Sequence, residues 1–405
     1  MTRRRRAVLR ALGAAGVGLT AGCLGLGGDD ATPQSGSGGG TGNTATDTPA
    51  TDTAGNESAT ESTTTPAMTR TGRWGMVQGD PRQTGQADAG PPRETVRWEV
   101  DLGGKIRSGP VVAGGRLFTT ANNRLFAVSL DDGATLWRTD LGGRATNTVA
   151  YYDGRVFVPT ESGVVAVDAR SGSQVWTRGL QKGVVSDVTV TTGTVLVTGG
   201  KQVYYGLNAA DGSVRWDSVP FNFGGLQTLS ADGRQVYGGG ENAFFAMQDG
   251  TRQWTKELGG GIVGAPTVGE KYVFVGTNAA TALAVETGTG NTEWETRLNG
   301  GATASPALDD RSLYVPAGGT LHKLQRGSGD KVWETGLDNT CVVGPVLTSE
   351  AVYLATTSGT IYSISTDDGT AFWKHEAEMS IRSDPALAGG RLYVGSDSGQ
   401  LFAFE

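Results

Sequence analysis

The chain has 405 residues, a formal net charge of −7 and 65 glycines, so glycine makes up about 16% of it against an average of roughly 7%. An acidic chain of this kind lacks the basic stripe that nucleic-acid-binding proteins usually carry. A mean hydropathy of −0.25 argues against a protein built of many membrane spans. Two cysteines and two histidines are too few for a disulfide scaffold or a Cys/His-rich metal site.

The first 22 residues have the pattern of an export signal. A short Gly/Ala-rich stretch follows a basic start, and it is too short and too rich in glycine to span a membrane. The basic start is typical of a twin-arginine signal, which exports folded proteins, and it contains Arg3, Arg4, Arg5 and Arg6. Ala21 and Gly22 before Cys23 resemble a lipoprotein cleavage site, although Thr20 stands where leucine is usual. We expect a lipid on Cys23; an ordinary signal peptide with a chance cysteine is the alternative.

Residues 23–71 are predicted to form a disordered stalk behind the lipid anchor. Residues 27–71 contain no Val, Ile, Leu, Phe, Trp or Tyr, so they bury too little apolar surface to offset the entropy of ordering. Removal of residues 1–22 takes away five arginines and changes the net charge from −7 to −12. This acidity, with 26 arginines against 8 lysines and a Thr/Asp-rich stalk, indicates a salt-adapted, archaeal cell. We therefore expect a lipid-anchored protein at the cell surface, on the outer face of the cytoplasmic membrane.

A tryptophan recurs every 38–40 residues from residue 98 to residue 373. A fixed period near 40 marks a repeat architecture and overrides a domain count based on length. Within each period, four short apolar runs with two-residue alternation are separated by Gly/Asp turns, which predicts a four-stranded antiparallel sheet. Forty residues and four strands per repeat fit the blade of a β-propeller, an all-β fold. The tryptophans predicted to pack between blades are Trp98, Trp137, Trp176, Trp216, Trp254, Trp294, Trp333 and Trp373.

The two ends of the repeat region, residues 72–405, predict the number of blades. The last repeat stops at Glu405 after three strands, whereas residues 95–100 form a tryptophan strand without three strands before it. We expect residues 95–100 to pair as the fourth strand of the last repeat, which gives eight blades and leaves no free edge. Glycine stands four residues before tryptophan in seven repeats, where a tight hairpin predicts a positive φ.

The repeat also resembles a known family. The segment Ala166–Trp176 contains Asp168, Gly172 and Trp176 at the spacing of the tryptophan-docking motif of quinoprotein-type (PQQ-like) propellers. The segment Trp74–Gly85 is similar to the sequence that leads into such propellers. The resemblance covers about residues 74–405.

The resemblance implies one of two functions. Quinoprotein dehydrogenases bind pyrroloquinoline quinone (PQQ) and calcium over the central channel, whereas non-enzymatic members, such as the lipoprotein of the β-barrel assembly machinery (BamB type), bind protein partners. Here the even spacing leaves no insertions for a cofactor pocket, Cys23 and Cys341 cannot form an adjacent cysteine pair, and no repeat shows an acidic cluster for calcium. We therefore predict a BamB-like scaffold without catalysis, cofactor or metal site. A PQQ- and calcium-dependent oxidoreductase and a binder of glycans or small ligands are the alternatives.

Four cations are the first candidate binding residues. Alignment of the repeats places two of them at one position on neighbouring blades and the other two at a second position. We expect a cationic arc on one rim of the channel mouth, which would attract an anionic partner or ligand to an acidic protein. In the alternative, the arginines pair with local carboxylates such as Asp187 and Asp384. The candidates are Lys105, Arg107, Arg144 and Arg382.

The loop of residues 217–225 is the second candidate. Phe221 and Phe223 make it one of the most apolar connections between repeats, on the same rim as the cationic arc. Exposed aromatic side chains on a rigid scaffold are typical anchors for a protein partner; in the alternative, both rings pack under the loop. The expected partner is another protein or an extracellular ligand, bound by a monomeric propeller. The isolated His322 and His375 and a buried Cys341 are expected to be structural.

Overall fold

The computed structural model describes residues 74–87, 90–200, 203–218, 228–377 and 379–405. Every regular element within these ranges is a β-strand, and none of the described residues belongs to a helix that is long and apolar enough to cross a membrane. The export signal of residues 1–22 with its four arginines, the lipid-anchor residue Cys23 and the stalk of residues 23–71 lie outside the described residues. These three assignments therefore stay predictions.

The described strands form eight antiparallel sheets of four strands each, which are the blades of a β-propeller. The first strand in the chain, β1 (Val96–Asp101), belongs to the last blade. From the channel outward, blades 1 to 4 consist of β2 (Val111–Ala113), β3 (Arg116–Ala121), β4 (Arg124–Ser129) and β5 (Thr135–Asp140); β6 (Ala150–Tyr152), β7 (Arg155–Thr160), β8 (Gly163–Asp168) and β9 (Gln174–Gly179); β10 (Thr189–Thr191), β11 (Thr194–Gly199), β12 (Val203–Asn208) and β13 (Val214–Ser218); and β14 (Ser230–Asp232), β15 (Gln235–Gly239), β16 (Ala243–Gln248) and β17 (Thr251–Glu257).

The second half of the chain repeats the same order of strands. Blades 5 to 8 consist of β18 (Thr267–Val268), β19 (Tyr272–Thr277), β20 (Thr281–Glu286) and β21 (Thr292–Arg297); β22 (Ala307–Leu308), β23 (Ser312–Ala317), β24 (Thr320–Gln325) and β25 (Lys331–Gly336); β26 (Val346–Leu347), β27 (Ala351–Ala355), β28 (Thr360–Ser365) and β29 (Ala371–Glu376); and β30 (Ala386–Ala388), β31 (Arg391–Gly395), β32 (Gln400–Phe404) and β1. The prediction of an all-β, eight-bladed propeller is confirmed.

The position of a strand within its blade explains its burial. Inner strands have only two or three residues, and most of them contact the inner strand of a neighbouring blade around the channel. The second and third strands are covered on both faces by neighbouring blades, so they are nearly continuous buried runs; all six residues of β11 and of β28 are buried. The outermost strands alternate exposed and partly buried residues, as β9 does, because the blades diverge there and solvent reaches one face.

The predicted closure of the ring is confirmed. β1 pairs antiparallel with β32, with Glu99 opposite Phe402 and Asp101 opposite Gln400. The last blade therefore takes its outer strand from the start of the propeller, and neither partner strand keeps a free edge on that side. An ion pair of 2.9 Å between Arg97 and Glu405 ties the same two segments together.

The recurring tryptophans join each blade to the next. The indole N–H donates to a backbone carbonyl 32 or 33 residues further along the chain in five blades, for example from Trp176 to Ala209 (3.1 Å). At the closure no such residue follows Trp373, and the carbonyl of Pro92, just before β1, accepts its indole N–H instead (3.2 Å). Six of the eight tryptophans thus bond to the following blade, whereas the buried indole N–H of Trp137 has no hydrogen-bond partner among the described residues.

The glycines four residues before tryptophan have the predicted backbone conformation. Their φ angles lie between +71° and +78°, where side chains other than glycine are strained. A Cβ added to Gly172 would also lie 2.8 Å from the indole of Trp137 in the preceding blade. The glycine is therefore needed twice, for the turn and for the approach of the docking tryptophan.

Candidate functional site

One end of the channel is closed by the segment of residues 74–87, which we call the lead-in segment. Its backbone groups bond to inner strands in six blades, and each contact lies at the middle or the last residue of that inner strand. The segment therefore closes the channel at the end where the inner strands finish. Its partners are Val112, Tyr151, Ala231, Val268, Leu308 and Leu347.

The opposite end, where the inner strands begin, is the channel mouth. One residue of each blade, two positions before its inner strand, faces its neighbours around the axis; we call this set the mouth ring. In five blades the backbone N–H of the ring residue donates to the ring side chain of the next blade, as from Gly109 to Oγ1 of Thr148 (3.0 Å) and from Ala265 to Oγ of Ser305 (2.7 Å). The mouth ring consists of Gly109, Thr148, Asp187, Thr228, Ala265, Ser305, Gly344 and Asp384.

Two carboxylates belong to the mouth ring. Asp187 accepts the N–H of Thr148 (2.7 Å) and the hydroxyl of Thr228 (2.7 Å), whereas Asp384 accepts one hydrogen bond, from the N–H of Gly344 (2.6 Å). Burial, and secondly the negative charge of Asp187, raise the pKa of Asp384 to about 7. The mouth therefore contains a carboxyl group that gains and loses its proton near neutral pH.

The carboxamide of Gln78 reaches the mouth ring from the lead-in segment. A Cβ added to Gly344 would lie 2.6 Å from Nε2 of Gln78, so this carboxamide fills the place of the missing ring side chain in blade 7. Nε2 donates to the carbonyls of Pro306 (3.1 Å) and Pro345 (3.4 Å). Oε1 is buried and has no hydrogen-bond partner among the described residues.

The cationic residues of the sequence prediction lie beside the mouth. Lys105, Arg107 and Arg144 line a single cavity of about 350 Å³ between blades 1 and 2, together with polar neighbours such as Asn122 and Asn147. We call this cavity the rim pocket. The structure thus brings three of the four predicted cations to one place.

The fourth cation joins the others through a shared carboxylate. Asp397 lies 3.1 Å from Nε of Arg107 and 3.5 Å from Nε of Arg382. Arg144 faces Glu161 at 4.0 Å. The arginines therefore pair with local carboxylates, as the alternative expectation had it, but their partners are Asp397 and Glu161 and not Asp187 or Asp384.

Phe221 and Phe223 lie outside the described residues, because the structure describes nothing between residues 218 and 228. Their role as partner anchors stays a prediction.

The remaining reactive side chains, Cys341 and His322, are buried. Cys341 is buried and donates to the carbonyl of Val343 (3.2 Å), and burial raises the pKa of its thiol to about 12, which disfavours the nucleophilic thiolate. His322 is fully buried, and its pKa is lowered, first by burial and then by the positive charge of Lys331. Within the described ranges, no three His, Cys, Asp or Glu side chains converge as a metal site would require.

A quinone cofactor needs a flat apolar or aromatic surface on which to stack, and the rim pocket does not offer one. Its lining is charged and polar, and it contains no aromatic residue. The docking tryptophans pack between blades. The rim pocket therefore does not fit a stacked quinone.

The mouth ring and Gln78 were not predicted from the sequence. The ring residues differ in type from blade to blade, so no repeated letter marks their position. All eight ring residues lie two positions before an inner strand. An alignment of the eight repeats on their inner strands would therefore have found the ring.

The family model described as outer membrane protein assembly factor BamB matches residues 88–166, 123–244 and 220–404. The chain belongs to this family of PQQ-like β-propellers. A search of curated proteins gave no significant match to this BamB-family chain.

Solved structures show the same fold at low sequence identity. BamB from Moraxella catarrhalis is 19% identical, with a TM-score of 0.67 over 77% of this chain and 99% of that one. A europium-containing methanol dehydrogenase is 13% identical, with a TM-score of 0.70 over 82% and 98% of the two chains. Quinohemoprotein alcohol dehydrogenase from Comamonas testosteroni is 14% identical, with a TM-score of 0.70 over 83% and 80%. At such identities the similarity shows the fold alone, which scaffolds and dehydrogenases share.

Proposed function

We propose that this BamB-family propeller is a lipid-anchored scaffold at the cell surface, which binds another protein and catalyses no reaction. The observation that carries the proposal is the rim pocket, where Lys105, Arg107 and Arg144 surround one polar cavity in a protein with a net charge of −7. The description of the family as an assembly factor also supports a role in binding proteins. The proposal does not include a role in assembly of an outer membrane, because the composition indicates an archaeal cell.

The ion pairs of the rim leave positive charge for a partner. Asp397 places one negative charge between the two guanidinium groups of Arg107 and Arg382. Arg144 and Glu161 are 74% and 55% exposed, and such pairs contribute only about 0–1 kcal/mol. A carboxylate-rich segment of a partner can replace these weak contacts, and charge attraction accelerates its association.

Capture of the partner from crosslinked cells tests the binding surface. The full-length, tagged protein is compared with the double variant Arg107→Glu/Arg144→Glu, which reverses the charge of the rim pocket. We expect the variant to recover at least about ten-fold less partner, because two attractive contacts with the partner become repulsive and together change the binding free energy by more than about 1.4 kcal/mol.

The matched control is Arg234→Glu, which reverses an exposed arginine that pairs with Asp249 after the inner strand of blade 4. Equal recovery of the same partner by the wild type and by the rim variant would place the binding surface elsewhere.

The lipid anchor needs a separate test. The variant Cys23→Ala removes the residue that would carry the lipid, and we expect it to move from the membrane fraction to the medium. Mass spectrometry of the wild-type N-terminal peptide is expected to show a lipid on Cys23. Retention of the variant in the membrane fraction would contradict lipid anchoring at this residue.

The two alternative functions have direct tests. In the first, the full chain is titrated with PQQ and calcium while tryptophan fluorescence and heat are followed; stoichiometric, calcium-dependent binding at micromolar concentration or below would overturn the scaffold proposal. In the second, soluble glycans replace the quinone. Glycan binding that survives charge reversal of the rim pocket would favour the ligand-binding alternative.

A further inference from the structure

A second cavity, of about 540 Å³, lies between blades 5 and 6. It is lined by the turns that follow the inner strands β18 and β22, by the turn between β24 and β25, and by neighbouring strand residues. These turns lie at the closed end of the propeller, and none of the lining residues belongs to an inner strand. The cavity therefore lies outside the channel, on the face opposite the rim pocket. We call it the basal pocket.

The lining of the basal pocket is positively charged. Four cations stand against the two carboxylates of Glu270 and Asp310, which leaves a formal charge of +2 in a protein with a net charge of −7. Among the described residues, none of the four cations forms an ion pair. The four are Lys271, Arg311, Lys323 and Arg326.

Arg311 is free of the contact that the corresponding arginine makes in blade 2. There, Arg155 at the start of the second strand donates to the carbonyl of Ala209 in the next blade (2.7 Å). In blade 6, Nζ of Lys323 makes this contact instead, to the carbonyl of Thr366 (2.6 Å). The guanidinium of Arg311 has no hydrogen bond to any described residue. The junction between blades therefore does not need the charge of Arg311.

Arg326 is held by its backbone, whereas its guanidinium has no bonded partner among the described residues. Its N–H donates to the carbonyl of Arg311 (2.8 Å), and its own carbonyl accepts the indole N–H of Trp294 (2.9 Å). The guanidinium crosses to blade 5, where a Cβ added to Gly269 would lie 2.8 Å from Nη2. The corresponding residue in blade 3 is Ala209, so docking of the tryptophan needs no arginine at this position.

We propose that the basal pocket binds a phosphate monoester, with Arg311 and Arg326 on the phosphate oxygens and Lys271 as a further positive charge. Arginine presents a planar fork that matches phosphate, and lysine acts as a point charge. A phosphate monoester has a charge of about −1.5 to −2 at pH 7, which balances the lining. The ring of Tyr272 and the exposed side chain of Val332 offer apolar surface to the organic part of the ligand.

Glycerol 3-phosphate is the soluble probe, titrated into the full chain by calorimetry. We expect one site per chain. Arg326→Ala introduces the residue that blade 3 has at this position, so we expect the variant to fold and to bind at least about ten-fold more weakly. Arg311→Ala removes an exposed side chain, and we expect the same loss. Succinate, a dicarboxylate, is compared with the phosphate, and equal affinity for the two would overturn the proposal.

Vesicles distinguish a soluble ester from a lipid headgroup, since phosphatidic acid carries the same phosphate monoester. The full chain with Cys23→Ala, which leaves no residue for the lipid anchor, is mixed with phosphatidylcholine vesicles that contain or lack phosphatidic acid. Sedimentation that requires phosphatidic acid and is lost in Arg326→Ala would assign the site to a lipid. Binding of glycerol 3-phosphate without sedimentation would assign it to a soluble ester.

The matched control is Arg234→Ala, at the corresponding place in blade 4, where the arginine pairs with Asp249. It removes the same charge from the same face, and we expect unchanged binding. The proposal is overturned if both pocket variants bind the phosphate as the wild type does, if Arg234→Ala weakens binding equally, or if the wild type binds neither probe. The basal pocket does not depend on the protein partner of the rim, so none of these results affects the scaffold proposal.

Discussion

The two ends of the propeller channel are built in opposite ways. At the closed end, backbone groups of the lead-in segment form hydrogen bonds with inner strands of six blades, and Trp74 is buried among them. At the mouth, contacts between blades run through ring side chains, and Oε1 of Gln78 is a buried acceptor for which the described residues offer no donor.

The closed end therefore contributes to stability, whereas the mouth contains groups that lower it. Buried backbone groups that find partners add stability, whereas buried acceptors without donors reduce it. Natural folds retain such unfavourable groups chiefly at functional sites. The comparison therefore points to the mouth and its rim, and not to the closed end, as the part of the channel that meets a ligand or a partner.

The largest effect is expected at the closed end, from Trp74→Ala. Trp74 is 1% exposed and exchanges two backbone hydrogen bonds with Val112. Loss of the indole leaves a cavity at the start of the lead-in segment, and we expect the free energy of unfolding to fall by about 3–5 kcal/mol. Urea unfolding of the full chain, followed by circular dichroism, measures it.

Phe372→Ala is the control, because that ring is 56% exposed on the outermost strand of blade 7. We expect it to cost less than about 1 kcal/mol. Equal costs for the two variants would show that the lead-in segment adds no particular stability, and the contrast between the channel ends would then be lost.

The next effect concerns the mouth and has the opposite sign. Because the pKa of Asp384 is raised from 3.8 to about 7 in the folded protein, its contribution to stability is complete below pH 4 and is lost as the pH rises through 7. Asp384→Asn is therefore expected to be more stable than the wild type above pH 7, by up to about 4 kcal/mol, and not below pH 4.

Urea unfolding at several pH values measures this difference. Asp187→Asn is expected to remove only part of the pH dependence, since burial is the larger cause of the raised pKa and remains in that variant. A wild type and an Asp384→Asn variant with parallel pH profiles would show that Asp384 ionises normally.

The fold could be predicted from sequence because its signals recur. Seven of the eight docking tryptophans contact the turn glycine of the next blade, so a regular period in the sequence implies a regular structure. The closure of the ring could be predicted because the last repeat lacks a fourth strand and residues 95–100 form a strand without a blade. The structure pairs these two segments, β1 with β32.

The candidate site was only partly predictable. Alignment of repeats placed Arg107 and Arg382 on neighbouring blades, and the structure joins them through Asp397. Gln78 could not be placed, because its contacts to Pro306 and Pro345 cross 228 and 267 residues of sequence. No spacing rule links a side chain outside the repeats to a position within them.

A third substitution tests how tightly the closed end is packed. Gly85 in the lead-in segment has a φ of +70°, and an added Cβ would lie 2.7 Å from the carbonyl oxygen of Pro345. Gly103, in the loop that leads to the rim, has a φ of +74° and nothing within 4 Å of an added Cβ. The positive φ makes each alanine variant lose about 1 kcal/mol of the free energy of unfolding. Gly85→Ala is expected to lose about 1 kcal/mol more than Gly103→Ala, because the backbone near Pro345 must also shift. Thermal unfolding of the two variants measures this difference, and equal midpoints would contradict close packing at the lead-in segment.

The smallest effect on folding is expected at the rim, from Arg107→Ala. Its side chain is 59% exposed, and exposed ion pairs contribute less than about 1 kcal/mol. Arg382 still faces Asp397 in the variant, so no carboxylate is left without a cation. We expect the free energy of unfolding, measured in urea at low and high salt, to fall by less than about 0.5 kcal/mol, and the difference to shrink as salt screens the pair. If Arg107→Ala instead destabilised the protein as much as Gly85→Ala, the arginine would be part of what holds the blades together. The rim would then resemble the closed end, and its positive charge would need no partner to explain it.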